Sequence, residues 1–236
     1  MKRIAFLLAI AISAFLVSGF TLHGQPKVAV DLGLSVKWAT CNVGATSPEE
    51  YGGHYQWAGK QNITNKNLYD FDSCPYHIEI QGRCYITWEY TKYVSSNYPS
   101  TWPGAGRPDN KTVLEPSDDV AHVMLGGKWR MPTREEWREL IDNCTWTWSV
   151  RNGVRGYKVT GKKPGYTDKS IFLPAAGYID EEDGLLHSGS NGFYWSSSLD
   201  TGGAGRAFAL FFNSDDVDTT YYDRFQVNSV RPVLDY

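Results

Sequence analysis

The later part of the chain constrains the fold most, because short strand-like runs alternate there with glycine-rich breaks. From Trp146 onward no apolar stretch is long enough for a core helix. Short runs bounded by turn residues predict β-strands joined by tight connections. The predicted strands are residues 157–160, 170–173, 193–199, 207–212 and 228–233.

Two helices are predicted ahead of these strands. Ser117 is expected to cap the first, over residues 118–124, whose acidic first turn suits the helix dipole. The second is expected to begin after Thr133, which together with Glu136 has the spacing of a capping box. Early helices followed by antiparallel strands predict a single α+β domain rather than an alternating parallel sheet.

The beginning of the chain has the pattern of a secretory signal. Lys2 and Arg3 precede an uncharged apolar run over residues 4–20. We expect residues 1–24 to be a signal peptide, although an uncleaved anchor is the alternative. Its removal would change the formal charge from −3 to −5 and leave one domain, residues 25–236. The predicted location is therefore secreted or at the cell surface, with no stable membrane span after the signal is removed.

Four cysteines remain in this predicted domain, and an exported chain favours disulfides. Cys74 and Cys84 lie ten residues apart within residues 60–116, which read as irregular polar loops. We expect these two cysteines to form a disulfide across a local hairpin. Cys41 and Cys144 would form the remaining pair, although four cysteines allow three connectivities.

Several motifs resemble known families of exported proteins. Residues 129–137, WRMPTREEW, resemble an element of formylglycine-generating-enzyme-like domains. A closer resemblance covers nearly the whole predicted domain and points to the Fibrobacter succinogenes major paralogous domain family, which is abundant in exported proteins of gut and rumen Bacteroidetes. Its matching segments are 31–34, 38–45, 48–52, 171–178, 194–198 and 229–233. The resemblance implies a C-type-lectin-like fold with two main helices and short antiparallel strands.

The end of the chain also resembles the variable proteins of diversity-generating retroelements. In those proteins a fixed YWSSS-like strand leads into a changeable stretch, and a fixed strand closes it. Here residues 194–198 match the first strand and residues 229–233 the last. The resemblance implies that residues 199–228 form a changeable binding surface.

Catalysis is not supported by the residues present. No cysteine follows Cys144, so the copper-binding cysteine pair of formylglycine-generating enzymes is missing. The histidines after the predicted signal are scattered, and Ser196, Ser197 and Ser198 lack a G-x-S-x-G setting. We expect these serines to hydrogen-bond neighbouring loops, and we predict no catalytic residue and no cofactor.

No metal site is predicted either. The chain has neither a CxxC pair nor an HExxH spacing. Asp215, Asp216 and Asp218 carry oxygens that suit Ca²⁺, but their spacing lacks the glycine and distal Glu of an EF-hand. Calcium binding there stays open. The balance of 23 basic and 26 acidic residues does not favour a nucleic-acid partner.

The segment from Leu199 to Gln226 has the composition of a binding surface. Arginine and aromatic side chains dominate binding hot spots because they contribute large contact area. The predicted ligand-binding residues are Asp200, Arg206, Phe208, Asn213, Asp215, Asp218, Tyr221, Tyr222 and Arg224. The predicted function is non-catalytic recognition of an unknown surface ligand, protein or glycan. The alternatives are an enzyme of the formylglycine-generating-like or glycan-processing class, and a structural component of an envelope or fimbria, with the oligomeric state left open.

Alternation along this segment predicts the direction of its side chains. Phe208, Leu210 and Phe212 should share one face of a strand, with one of its two faces in the core. Tyr221 and Tyr222 should point in opposite directions. Arg231 is expected to anchor the last strand by hydrogen bonds.

Overall fold

A computed structural model describes residues 27–65, 74–81, 86–97, 106–203 and 205–236. The predicted signal peptide and Cys84 lie outside these residues. Neither helix in the described part of the chain has the length and apolar character that crossing a membrane requires.

The second helix begins at the predicted position. Helix α1 spans Val120–Leu125, and helix α2 spans Arg134–Asn143. At the start of α2 the Glu136 N–H donates to Thr133 Oγ1 over 3.2 Å, and the Thr133 N–H donates to the Glu136 carboxylate over 2.8 Å. The predicted capping box is therefore confirmed. Trp137 on this helix is fully buried, as the helical spacing requires.

The expected cap of α1 is wrong. Ser117 is exposed, and Asp119 caps the helix instead. One Asp119 oxygen accepts from the N–H groups of Ala121 and His122, at 2.9 and 3.1 Å, and the other accepts from the Met131 N–H at 2.7 Å. A buried carboxylate with two oxygens satisfies three backbone donors at once, which a single hydroxyl cannot do.

The remaining elements are short strands, sixteen among the described residues. They are β1 (Ala29–Val30), β2 (Lys37–Ala39), β3 (His54–Tyr55), β4 (His77–Gln81), β5 (Ile86–Tyr90), β6 (Trp129–Arg130), β7 (Cys144–Arg151), β8 (Val154–Gly161), β9 (Ser170–Pro174), β10 (Tyr178–Asp180), β11 (Gly184–Leu186), β12 (Gly192–Leu199), β13 (Arg206–Phe212), β14 (Val217–Asp223), β15 (Asn228–Ser229) and β16 (Val233–Leu234).

The strands form several small sheets. One sheet has the order β1-β2-β16-β6, so strands from both ends of the described chain pair directly, with Val233 opposite both Trp38 and Arg130. A second has the order β14-β13-β12-β15-β3, in which only the β12–β15 pair is parallel. Strands β7, β8 and β9 form a third, and β4–β5 and β10–β11 are hairpins. The α+β class is confirmed.

The segment predicted as irregular loops contains regular structure. Strands β4 and β5 pair antiparallel there, with His77 opposite Tyr90. The sequence pattern also missed β7 and β14, which pair with the predicted strands β8 and β13.

Large aromatic side chains fill the core. The Trp38 and Trp137 rings lie 4.6 Å apart, and Tyr194 stacks on Phe212 at 5.9 Å. All eight residues of β12 are buried, because this strand has one core cluster on each side.

Arg231 is fully buried and ties three parts of the chain together. It donates to Asn42 Oδ1 at 2.9 Å and to the backbone oxygens of Ala39 and Phe172, both at 2.8 Å. The expected structural role of Arg231 is confirmed.

One of the two predicted disulfides is absent. Cys41 and Cys144 are buried free thiols, so the Cys41–Cys144 disulfide is wrong. Cys144 packs within the core around Trp137, where burial raises its pKa to about 11 and keeps the thiol protonated. The Cys74–Cys84 disulfide stays a prediction, because Cys84 lies outside the described residues.

Candidate functional site

Most of the predicted binding residues lie on one antiparallel hairpin, β13–β14, at the edge of the five-stranded sheet. Phe208 is opposite Tyr221 and Ala207 is opposite Tyr222. Because neighbouring residues of a strand point to opposite faces, the two tyrosines lie on different sides of the sheet. The side chain of Tyr221 is 47% exposed, and that of Tyr222 is half-buried, as the alternation predicted.

Four of the predicted residues come together on the first face. The Arg206 guanidinium lies 3.9 Å from the centre of the Tyr221 ring and forms a 2.9 Å ion pair with Asp200. Phe208 lies beside Tyr221 in the sheet register. We call these four residues, together with Arg134, the Arg206 cluster.

Arg134 is a member of this cluster that the sequence pattern did not single out. The guanidinium lies 3.9 Å from the centre of the Phe208 ring. The position is fixed by the start of α2, where the Arg134 N–H donates to Ser198 Oγ over 3.0 Å. Ser196 Oγ donates to the Phe208 oxygen at 2.7 Å, so these serines hydrogen-bond their neighbours as expected.

The opposite face carries a separate aromatic group. Phe193 lies 5.5 Å from Tyr222, 5.3 Å from Phe211 and 5.0 Å from Tyr178, measured between ring centres. Burial raises the pKa of Tyr222 to about 12. Tyr222 therefore belongs to this packed group and not to the Arg206 cluster.

The turn of the hairpin holds the remaining polar residues far from Arg206. Asn213 Oδ1 accepts from the backbone N–H groups of Asp215 and Asp216, at 2.8 and 2.9 Å. Asp218 is opposite Phe211 on the second face. At about 3.3 Å per residue, the length of β13 places this turn roughly 20 Å from Arg206. Within the described residues no three acidic, histidine or cysteine side chains are grouped to hold a metal ion.

Arg224 lies inside the protein and not on the predicted surface. The guanidinium is 3.8 Å from the centre of the Tyr90 ring and 4.8 Å from that of Trp57. One nitrogen, Nη1, donates to the Lys92 oxygen at 3.2 Å. Burial lowers the pKa of Arg224, although neighbouring groups including Tyr90 act in the opposite direction. Tyr90 and Lys92 belong to the segment that the sequence pattern read as irregular, so no local signal indicated this environment.

Asp118 and His54, near the core cluster that contains Trp57, also have hydrogen-bond partners within the protein. Asp118 forms a 2.6 Å ion pair with Lys92 and accepts from the hydroxyls of Tyr76 and Tyr93, both at 2.7 Å. Burial raises the pKa of Asp118, but the hydrogen bonds from Lys92 and the two tyrosines outweigh it and lower the pKa. His54 is buried against the Ala176 oxygen at 3.2 Å. These contacts hold the loops around the core cluster that contains Trp57.

Comparison with known proteins gives no match to a family model, a curated protein or a solved structure.

Proposed function

We propose that this chain is an exported, non-catalytic ligand-binding domain with a C-type-lectin-like fold. The ligand is a surface protein or glycan, and it binds through the Arg206 cluster. The observation that carries the proposal is the pairing of two arginines with two aromatic rings on one face of an edge hairpin. Arginine and aromatic side chains are the residues that most often dominate binding energy.

The hairpin that carries most of the Arg206 cluster is anchored to the buried part of the sheet. Its hairpin pairs with β12, whose eight residues are all buried. The ion pair with Asp200 restrains the Arg206 guanidinium, and the start of α2 fixes the backbone of Arg134. Side chains that are already ordered lose less conformational entropy on binding, which supports a recognition role.

The same arrangement supports the proposed relationship to variable proteins of diversity-generating retroelements. Strands β12 and β15 lie inside the sheet, and the proposed changeable stretch, 199–228, forms the hairpin at its edge. Within this stretch Ala207, Ala209 and Leu210 are fully buried. We therefore expect change to be tolerated at partly exposed positions and not at these three.

The test is a binding array of surface glycans and surface proteins. Ligands captured by the wild type are measured again with Arg206→Ala and Tyr221→Ala. Truncating a central anchor should weaken binding by about 2 kcal/mol or more, roughly 30-fold. The matched controls are Arg155→Ala and Tyr236→Ala, which remove exposed side chains outside the cluster and should bind as the wild type does. Unchanged affinity in both cluster variants would show that the ligand binds elsewhere.

A further inference from the structure

A second site beside the Arg206 cluster contains a buried cation. It is a small pocket, open to solvent, between the end of β5 and the loop that precedes β13. Arg224 and Tyr90 line it, together with Glu89, Ser95 and Leu199. None of the five residues of the Arg206 cluster lines this pocket.

The guanidinium of Arg224 is only partly satisfied. Nη1 donates to the Lys92 oxygen, whereas Nε and Nη2 are buried and have no hydrogen-bond partner. The charge of Asp109 acts on Arg224, but the two Asp109 oxygens accept from the N–H groups of Tyr93 and Val94, at 3.0 and 2.9 Å. Burying a cation without acceptors is strongly unfavourable, so the pocket favours a partner that supplies them.

The unsatisfied nitrogens define the chemistry of that partner. Nε and Nη2 lie along one edge of the planar guanidinium, the arrangement that donates two parallel hydrogen bonds to the two oxygens of a carboxylate. The rings of Tyr90 and Trp57 lie against the guanidinium, which limits how the side chain can reorient. We propose that this pocket binds a carboxylate, whose oxygens accept from Nε and Nη2 of Arg224.

The walls restrict the ligand to a small group with one negative charge. A Cβ at Gly205 would lie 2.6 Å from the Tyr90 ring, and one at Gly203 would lie 2.2 Å from the Arg206 guanidinium. Neither position therefore has room for a side chain. Glu89 also lines the pocket, and its negative charge opposes a second negative charge on the ligand. A monocarboxylate is therefore favoured over a dicarboxylate, sulfate or phosphate.

The experiment follows the Arg224 Nε–H signal by ¹H–¹⁵N NMR during titration with sodium acetate, with sodium chloride at equal ionic strength as the reference. The signal should shift saturably with acetate and stay in place with chloride. Malonate should bind more weakly than acetate. Glu89→Gln should bind acetate several-fold more tightly and narrow the difference between the two anions. N-Acetylglycine and glucuronate, which carry the carboxylate on a peptide-like and a sugar-like body, identify the source of the group.

A variant that leaves Arg224 in place tests the location. Ser95 is half-buried at the pocket wall, so Ser95→Phe should fill the opening and abolish the acetate shift. Ser188→Phe, at an exposed serine elsewhere, should retain the shift. A shift that persists in Ser95→Phe, an equal shift with chloride, or no saturable shift with any carboxylate would each overturn the proposal.

Discussion

Two buried arginines should respond very differently to replacement by methionine. Arg231 and Arg224 are both fully buried, but Arg231 donates hydrogen bonds from three nitrogens and Arg224 from one. Methionine is similar in length and has no donor. The pair therefore separates the contribution of satisfied hydrogen bonds from that of burial alone.

The expected magnitudes follow from these contacts. Arg231→Met leaves the oxygens of Asn42, Ala39 and Phe172 without their donors, at about 1–3 kcal/mol for each buried acceptor. Removal of the buried charge offsets part of this loss, and the net decrease in the free energy of unfolding should be about 3–5 kcal/mol.

For Arg224→Met the balance is different. The variant loses one hydrogen bond and the ring contacts with Tyr90 and Trp57, together about 3 kcal/mol. It also removes the desolvation penalty of an incompletely paired guanidinium, which amounts to several kcal/mol. The free energy of unfolding should therefore change by less than about 1 kcal/mol or increase.

Urea unfolding, followed by circular dichroism and tryptophan fluorescence, measures both values. Arg155→Met, at an exposed position, serves as the control and should unfold as the wild type does. If Arg224→Met were destabilised as much as Arg231→Met, the unpaired edge of Arg224 would have a partner in the folded protein. That result would refute the reasoning and remove the basis of the carboxylate pocket.

A change of pH and a pair of glycine substitutions test how closely the interior of the protein is packed. Burial lowers the pKa of His54 to about 4, so the folded protein binds fewer protons there than the unfolded chain, whose histidine pKa is about 6.5. The contribution of neutral His54 to the free energy of unfolding, on the order of 3 kcal/mol, should be present above pH 6.5 and disappear as the pH falls to about 4. Urea midpoints should show this loss in the wild type and in the exposed-site variant His187→Gln. An equal loss in His54→Gln would contradict the prediction. Gly177 and Gly184 both have positive φ, but only a Cβ at Gly177 would meet backbone, 2.0 Å from the Leu186 oxygen. Gly184→Ala should lower the free energy of unfolding by about 1 kcal/mol, and Gly177→Ala should lower it clearly more. Urea unfolding measures both values. Equal losses would show that the φ angle alone, and not the contact with the Leu186 oxygen, determines the cost of the added Cβ.

Local signals in the sequence predicted the elements that local chemistry controls. The capping box of Thr133 and Glu136 fixes the start of α2 within a few residues, and it was read correctly. The alternation in β13 also predicted which side chains share a face. Its expectation of a single core face was too narrow, because Leu210 and Phe212 pack into one core cluster while Ala207 belongs to another across the sheet.

Elements that depend on distant partners were missed. Strand β14 carries polar and aromatic residues without a clear alternation, and it is a strand because it pairs with β13. The hairpin β4–β5 lies in a polar segment whose periodicity is weak. Longer-range contacts decide these elements, and local propensity does not reveal such contacts.

The candidate site also contains residues that the sequence predicted and one whose position it did not. Arg206, Phe208 and Tyr221 were predicted from composition and register, and the structure brings them together with Asp200. The burial of Arg224 could not be predicted, since Tyr90 and Trp57 reach it from parts of the chain more than a hundred residues away.

The pairing of β16 between β2 and β6 has a consequence for synthesis and quality control. The strand that completes the first sheet follows the β13–β14 hairpin in the chain, so the sheet cannot close before residues 233–234 have been synthesised. A premature stop or frameshift within residues 199–228 would delete this strand and leave β2 without a neighbour on that side. Only chains that include β16 would then complete this sheet, and truncated copies would be exposed to proteolysis.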